Sequence, residues 1–233
     1  MRSPRIVVVT GTSASGKTAL VEMLLERGIG GRRFMRPITA TDRRPRPGEQ
    51  HGVHYYFLSR DEFARMAHPS LSGKELVRRL EAGQTCMDIT RELGPGGFYE
   101  YALVYGNLKG IPRFSVERVI QMGAVPVLIL DIQGARSLAE IEGVDGVYNI
   151  FIAPHSLDVI ESRILAREPD IPRDELRVRV ESARHEIETA KQADYIHDVI
   201  INRNHRIEET FAELSRRLSR ALKLSHQPYA TRV

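Results

Sequence analysis

RIVVVTGTSASGKT, residues 5–18, decides the fold of this chain. Arg5–Val9 is a β-branched run without alternation, the pattern of a strand buried on both faces. Lys17–Arg27 follows with Leu20, Met23 and Leu24 at helical spacing, and Gly28, Gly30 and Gly31 end that helix. Between strand and helix, Gly11, Thr12, Ser13, Ala14, Ser15, Gly16, Lys17 and Thr18 fit G-x-x-x-x-G-K-[ST]. Its glycines let successive backbone N–H groups turn inward around a phosphate, and the helix start adds its positive dipole end. Lys17 then reaches the β- and γ-phosphates and the Thr18 hydroxyl ligates Mg²⁺. The strand before and the helix after make a common pattern specific: the sequence predicts binding of a nucleoside triphosphate.

Outward from the loop, strands and helices alternate. Further strands are expected at Arg33–Thr39, Tyr55–Leu58, Val125–Asp131, Val147–Ala153 and Val199–Asn202. Helices are expected from the Ser59 cap to Met66, with Glu62 completing a capping box, and at Ser115–Met122, Ala135–Glu142, Leu157–Ala166, Arg173–Gln192 and Ile207–Leu224. The last carries an apolar stripe of Ile207, Phe211, Leu214, Leu218 and Leu222 suited to pack on a sheet. Thr41–Gly52 reads as a loop, and the tail from Ser225 as frayed. Such alternation means an α/β fold with a parallel sheet and right-handed crossovers.

Composition excludes other classes. Of 233 residues, 42% are hydrophobic and 27% charged, which rules out collagen-like, low-complexity and disordered chains. No apolar run approaches the roughly 18 residues of a membrane span, and the five-residue run near the N-terminus is short for a signal peptide. The single cysteine, Cys86, cannot form an internal disulfide, so a cytoplasmic location is expected. A net charge of +4, carried mostly by arginine, suits phosphates without implying nucleic acid. The eight histidines show no metal-ligand spacing.

TDRRPRPGE at Thr41–Glu49, followed by Tyr55 and Tyr56, then FYEYALVYGN at Phe98–Asn107, LDIQG at Leu130–Gly134, Ile152–Pro154 and VIIN at Val199–Asn202 form an ordered series. In this order and spacing the series resembles the guanylate kinases, from Arg5 to about Leu218 apart from one insert. The resemblance implies a P-loop NTPase three-layer core (1–34, 113–162 and 181–224), a nucleoside-monophosphate-binding subdomain (35–112), a LID (163–180) and a flexible tail (225–233). It implies the reaction ATP + GMP = ADP + GDP with Mg²⁺. Arg43 and Arg46, in a loop stiffened by Pro45 and Pro47, are placed by the resemblance on the acceptor phosphate, with Tyr55 as hydroxyl donor. Glu100 is placed on the base, where one carboxylate can accept from both N1–H and N2–H₂ of guanine, and Thr39 faces that base. Arg163, Arg167 and Arg179 become lid arginines that, with Lys17 and Arg43, surround the transferring group. Asp131, at the carboxyl end of VPVLILD, is expected to hold Mg²⁺ through water.

The chain also departs from the pattern. Leu108-Lys-Gly-Ile111 stands where the family has a tyrosine, a glycine and a hydroxyl residue, so Lys109 is expected to contact phosphate by charge while Ile111 cannot donate to the base. The usual D-I-D-x-Q-G is shortened to Asp131–Gly134, with one carboxylate fewer. An insert of about 68–97 contains two helices, Glu75–Gly83 and Thr85–Leu93, in a pattern similar to helix-turn-helix DNA readers. Glu75, Glu81, Asp88 and Glu92 offset its arginines, so a hairpin capping the acceptor site is the expectation, with Cys86 as a small buried residue. Three alternatives stay open: a kinase for another phosphorylated acceptor, a nucleotide-binding or interaction module of guanylate-kinase type, and a DNA-binding protein.

Overall fold

A computed structural model describes residues 5–141 and 146–223. In chain order the elements are β1 (Ile6–Gly11), α1 (Lys17–Arg27), β2 (Phe34–Met35), β3 (Ala40–Thr41), β4 (Tyr56–Phe57), α2 (Arg60–Ala67), α3 (Gly73–Glu81), α4 (Cys86–Leu93), β5 (Phe98–Val104), β6 (Asn107–Pro112), α5 (Arg113–Gln121), β7 (Val125–Ile129), α6 (Ile132–Glu140), β8 (Val147–Pro154), α7 (Leu157–Arg167), α8 (Arg173–Gln192), β9 (Asp198–Asn202) and α9 (Ile207–Ala221). They fall into two units, Met1–Met35 with Ala124–Ala139 and Asp145–Val233, and Arg36–Gly123 with Glu140–Val144. The division leaves α5 with the second unit, where the sequence assigned residues 113–123 to the core.

The first unit holds a five-stranded sheet in the order β2-β7-β1-β8-β9, with every pair parallel. All six residues of β1 are buried, as a central strand with helices on both faces requires. On one face Val7 and Val9 meet Leu20, Val21 and Leu24 of α1 and Phe211, Leu214 and Leu218 of α9. Phe211, Leu214 and Leu218 are at most 2% exposed, so each contributes roughly 1.5–3 kcal/mol of burial. The stripe expected on the last helix is therefore its packing face. On the opposite face Phe151 and Ala153 of β8 pack with Ala190 of α8.

The second unit holds a four-stranded sheet, β4-β3-β6-β5, in which β3 and β4 run parallel while β3–β6 and β5–β6 are antiparallel. Uniform parallelism therefore fails here, because β5 and β6 are joined by the two-residue turn Tyr105-Gly106. Both turn residues have positive φ, +49 and +74, as a tight hairpin demands. The expected strand Arg33–Thr39 is cut short as well, and a separate strand follows it. Pro37 brings no N–H to a ladder and biases its predecessor, so only Phe34–Met35 pair with β7, and Ala40–Thr41 join the other sheet. The strand expected at Tyr55–Leu58 shortens to β4, and the one ending at Asp131 stops at Ile129. The sixth helix starts at Ile132 rather than Ala135; its expected end at Glu142, like Leu224 and the tail, lies outside the described residues.

The Ser59–Glu62 capping box is present, with both reciprocal bonds made. Helices α3 and α4 of the insert cover α2 and β5, burying Leu71, Leu76, Cys86, Met87 and Ile89. No helix among the described residues is long and apolar enough to cross a membrane.

Candidate active site

The phosphate loop closes between β1 and α1. Gly11 is at φ +140, and an added Cβ would lie 2.2 Å from the Ile152 carbonyl oxygen; Gly16 is at φ +91. Both positions are closed to a side chain, which is the reason for glycine at each. Lys17 donates from Nζ to the carbonyl oxygens of Gly11 and Thr12, at 2.5 and 2.6 Å, across the mouth of the loop. Burial lowers the pKa of Lys17, and the carboxylates of Glu186 on α8 and Asp131 push it back up. Glu186, which the sequence left without a role, is itself raised by burial and lowered by Lys17. Thr18 and Ser13 are exposed, while Thr12 and Ser15 are buried.

Asp131 opens α6, its Oδ1 accepting the Gly134 N–H at 2.7 Å. That bond occupies one oxygen and fixes the carboxylate beside the loop. Among the described residues no three His, Cys, Asp or Glu side chains gather as a protein-only metal cage. The Thr18 hydroxyl and the Asp131 carboxylate, with Glu186 also close to Lys17, are instead hard oxygen donors of the kind that suit Mg²⁺ carried on phosphates and water.

Arg163, on α7, donates from Nη1 to the Ala14 carbonyl at 3.0 Å and from Nε and Nη2 to Asn204 Oδ1, so it lies against the phosphate loop. Its burial lowers its pKa. Arg167 and Arg179 converge on Glu168 Oε1, at 2.7 and 3.0 Å, and Arg179 also meets Glu175. Glu168 and Glu175 thus hold two of the three arginines expected to form a lid, a pairing the sequence did not reveal. Arg177 and Arg184 make only surface pairs, as expected of a solvated face.

In the second unit Glu49 organises the basic loop. It accepts from the Arg43 guanidinium at 2.9 Å and from the Arg46 backbone N–H at 2.7 Å, while its own N–H returns to the Arg46 carbonyl. Those two bonds hold its carboxyl at about 2, below the usual 4.5, and the bond from Arg43 raises that guanidinium in turn. Arg43 also lies over the Tyr55 and Phe57 rings, 5.5 and 5.6 Å from their centroids. The Arg46 side chain extends into solvent. Glu49 was legible only as part of TDRRPRPGE; its spacing of three from Arg46 was the available signal.

Strand register aligns the remaining residues that the resemblance places at the acceptor. Ala40 opposes Tyr56 and Gly110, and Glu100 opposes Ile111. Continuing β3 back by one residue places Tyr55, Thr39, Ile111 and Glu100 in one row across the four strands. At about 4.8 Å per strand the row spans about 14 Å. Glu100 is half-buried, just beyond a bulge at Tyr99, and Lys109 is exposed two residues before Ile111. Asp42 fastens this sheet: its side chain is 2% exposed, accepting from the Leu108 N–H and Arg60 Nε, each at 2.7 Å. In the insert, Arg79 bridges Glu75 and Glu92, Arg78 pairs with Glu75, and Arg91 with Asp88 and Glu140. Charge pairing throughout this helical pair removes the net positive face that duplex DNA requires.

Three comparisons bear on these features. The family model described as guanylate kinase matches residues 3–71 and 87–221, leaving out 72–86, which hold α3 and its turn into α4. The chain is 30% identical to the guanylate kinase of Homo sapiens over 223 residues, covering 96% of both chains. It is 32% identical to that of Clostridium perfringens, covering 85% of this chain and 76% of that one. It is 35% identical to guanylate kinase 2, chloroplastic/mitochondrial, of Oryza sativa subsp. japonica over 83% of its own length, but spans only 57% of that protein. The crystal structure of guanylate kinase from Anaplasma phagocytophilum shares the fold at TM-score 0.55 and 24% identity, over 100% of this chain and 92% of that one.

Proposed function

The chain belongs to the guanylate kinase family, and we propose that it transfers the γ-phosphoryl group of ATP to GMP, giving ADP and GDP. An oxygen of the acceptor phosphate forms a bond to the γ-phosphorus as the bond to the β-γ bridging oxygen breaks. Repelling charges must be held in line, so the protein's contribution is positioning and neutralisation.

In this reading residues 11–18 cradle the ATP phosphates with their N–H groups. Lys17 leaves the carbonyls of Gly11 and Thr12 for the β- and γ-phosphates, a short swing for a side chain already at the loop mouth. Thr18 and Asp131 would hold Mg²⁺, which would supply further neutralisation of those phosphates. Arg163, Arg167 and Arg179 offer charge to the transferring group, the last two exchanging Glu168 for phosphate. Arg43, already fixed by Glu49, and Arg46 take the acceptor phosphate together with Tyr55 and Lys109. Thr39 and Glu100 take the base.

The observation that carries this reading is the row Tyr55–Thr39–Ile111–Glu100. With Tyr55 at one end and Glu100 at the other, this register supports a reading in which the acceptor phosphate lies toward Tyr55 and the base toward Glu100. Guanine offers that carboxylate two adjacent donors on its Watson–Crick edge, a pair that adenine lacks. The complete phosphate loop favours an enzyme over an interaction module. A single cysteine, buried in α4, accords with a reducing, cytoplasmic setting. A coupled assay of ADP formation from ATP and a panel of nucleoside monophosphates tests the proposal: GMP is the expected acceptor, and ADP formation with no acceptor preference would contradict it.

A further inference from the structure

The phosphate loop is held from behind by two residues outside its motif. Asn202, the last residue of β9, donates from Nδ2 to the Ser15 carbonyl at 2.7 Å. Thr210, on the first turn of α9, has one hydroxyl hydrogen, shared between Asn202 Oδ1 at 3.0 Å and the Arg206 carbonyl at 3.1 Å. Asn202 and Thr210 are 3% and 4% exposed. The orientation of the amide is dictated by chemistry: a carbonyl only accepts, so Nδ2 must face Ser15, and Oδ1 must then face the hydroxyl.

A trans peptide is planar, with its C=O and N–H pointing in opposite directions. Anchoring the Ser15 oxygen toward β9 therefore aims the Gly16 N–H away from β9. A Cβ on Gly16 would lie 2.4 Å from Asn202 Nδ2, so the anchor and the motif's second glycine require one another. We propose that Asn202 and Thr210 are positioning residues for phosphate binding, fixing the Ser15–Gly16 peptide so that its N–H meets the nucleotide phosphates. The proposal rests on the nucleotide-binding part of the function given above and is independent of the acceptor's identity.

The test is ADP binding by calorimetry, with KM for ATP and for GMP and melting temperature measured on the same full-length proteins. Thr210→Val keeps the shape and removes the hydroxyl, leaving Asn202 Oδ1 unpaired. It is expected to weaken ADP binding and raise KM for ATP about tenfold, from the typical cost of one buried, unmatched acceptor. KM for GMP should stay unchanged, and Thr210→Ser should restore the wild-type values. Asn202→Leu, isosteric but unable to hold Ser15, should weaken ADP binding further than Thr210→Val. A Thr210→Val protein that melts lower but binds ADP within twofold of wild type would reduce the pair to a stabilising role and overturn the proposal. Normal ADP binding by a folded Asn202→Leu protein would overturn it equally. Wild-type protein that binds ADP but fails to phosphorylate GMP would count against the acceptor alone, and the calorimetric comparison would still decide the anchor.

Discussion

Removing the Asp42 carboxylate should loosen the β4-β3-β6-β5 sheet and, through Arg43 beside it, the proposed acceptor site. Asp42→Ala leaves the N–H of Leu108, a residue with no exposed surface, without its 2.7 Å acceptor, which costs roughly 1–3 kcal/mol. The Arg60 pair adds little, because the Arg60 side chain is 47% exposed, and such pairs contribute less than about 1 kcal/mol. A total of about 2–3 kcal/mol corresponds to a fall in melting temperature of about 5–10 °C for a chain of this size. Asp42→Asn keeps an oxygen for Leu108 but turns an NH₂ toward Arg60, so its loss should be about 1 kcal/mol. In coupled assays Asp42→Ala should raise KM for GMP about tenfold, equivalent to some 1.4 kcal/mol, with KM for ATP unchanged. Melting within 2 °C of wild type by about the same scale, together with an unaltered KM for GMP, would refute the assignment of Asp42 as the fastening of this sheet.

Lys17→Ala should bind nucleotide weakly and lose transfer on the order of a thousandfold, as expected for removing a charge that meets the phosphates in the transition state. Retention of more than about a tenth of the activity would contradict its role in phosphoryl transfer. Glu49 offers a pH test. Its folded value, about 2, lies below the ordinary 4.5, so the carboxylate's contribution is complete above 4.5 and is lost as pH falls toward 2. Glu49→Gln should therefore raise KM for GMP at neutral pH by freeing Arg43; equal KM values in mutant and wild type would show that Arg43 needs no such support.

How far the sequence led depended on where the information resided. The phosphate loop, β1 and α1 were readable because buried β-branched residues, two glycines with obligatory backbone geometry and a helical stripe lie in one short stretch. β3 was not, since a two-residue strand exists only through pairing with distant partners, and β4 was expected with one residue too many at each end. The β5–β6 hairpin was hidden because its turn is Tyr105-Gly106 rather than an Asn-Gly or Asp-Gly pair. Arg43, Arg46 and Glu100 were named from a family pattern. The residues that hold the site, Asp42, Glu49, Glu168, Asn202 and Thr210, were missed because they act through backbone groups and partners that only folding brings near. α3, outside the family match, supplies Leu76 to a buried layer against α2 and β5, so its sequence reads as helix without disclosing what it covers.

The central claim is that this chain phosphorylates GMP because Glu100 reads guanine. Its most direct test is the ratio of kcat/KM for GMP to that for AMP in wild type and in Glu100→Gln. An amide can accept with one oxygen only, and its NH₂ faces a donor of the base, a loss of roughly 2–4 kcal/mol against GMP. Wild type should strongly prefer GMP, and the substitution should shrink that preference by more than about tenfold while AMP changes little. A wild type without GMP preference, or a Glu100→Gln protein that keeps it intact, would contradict the account.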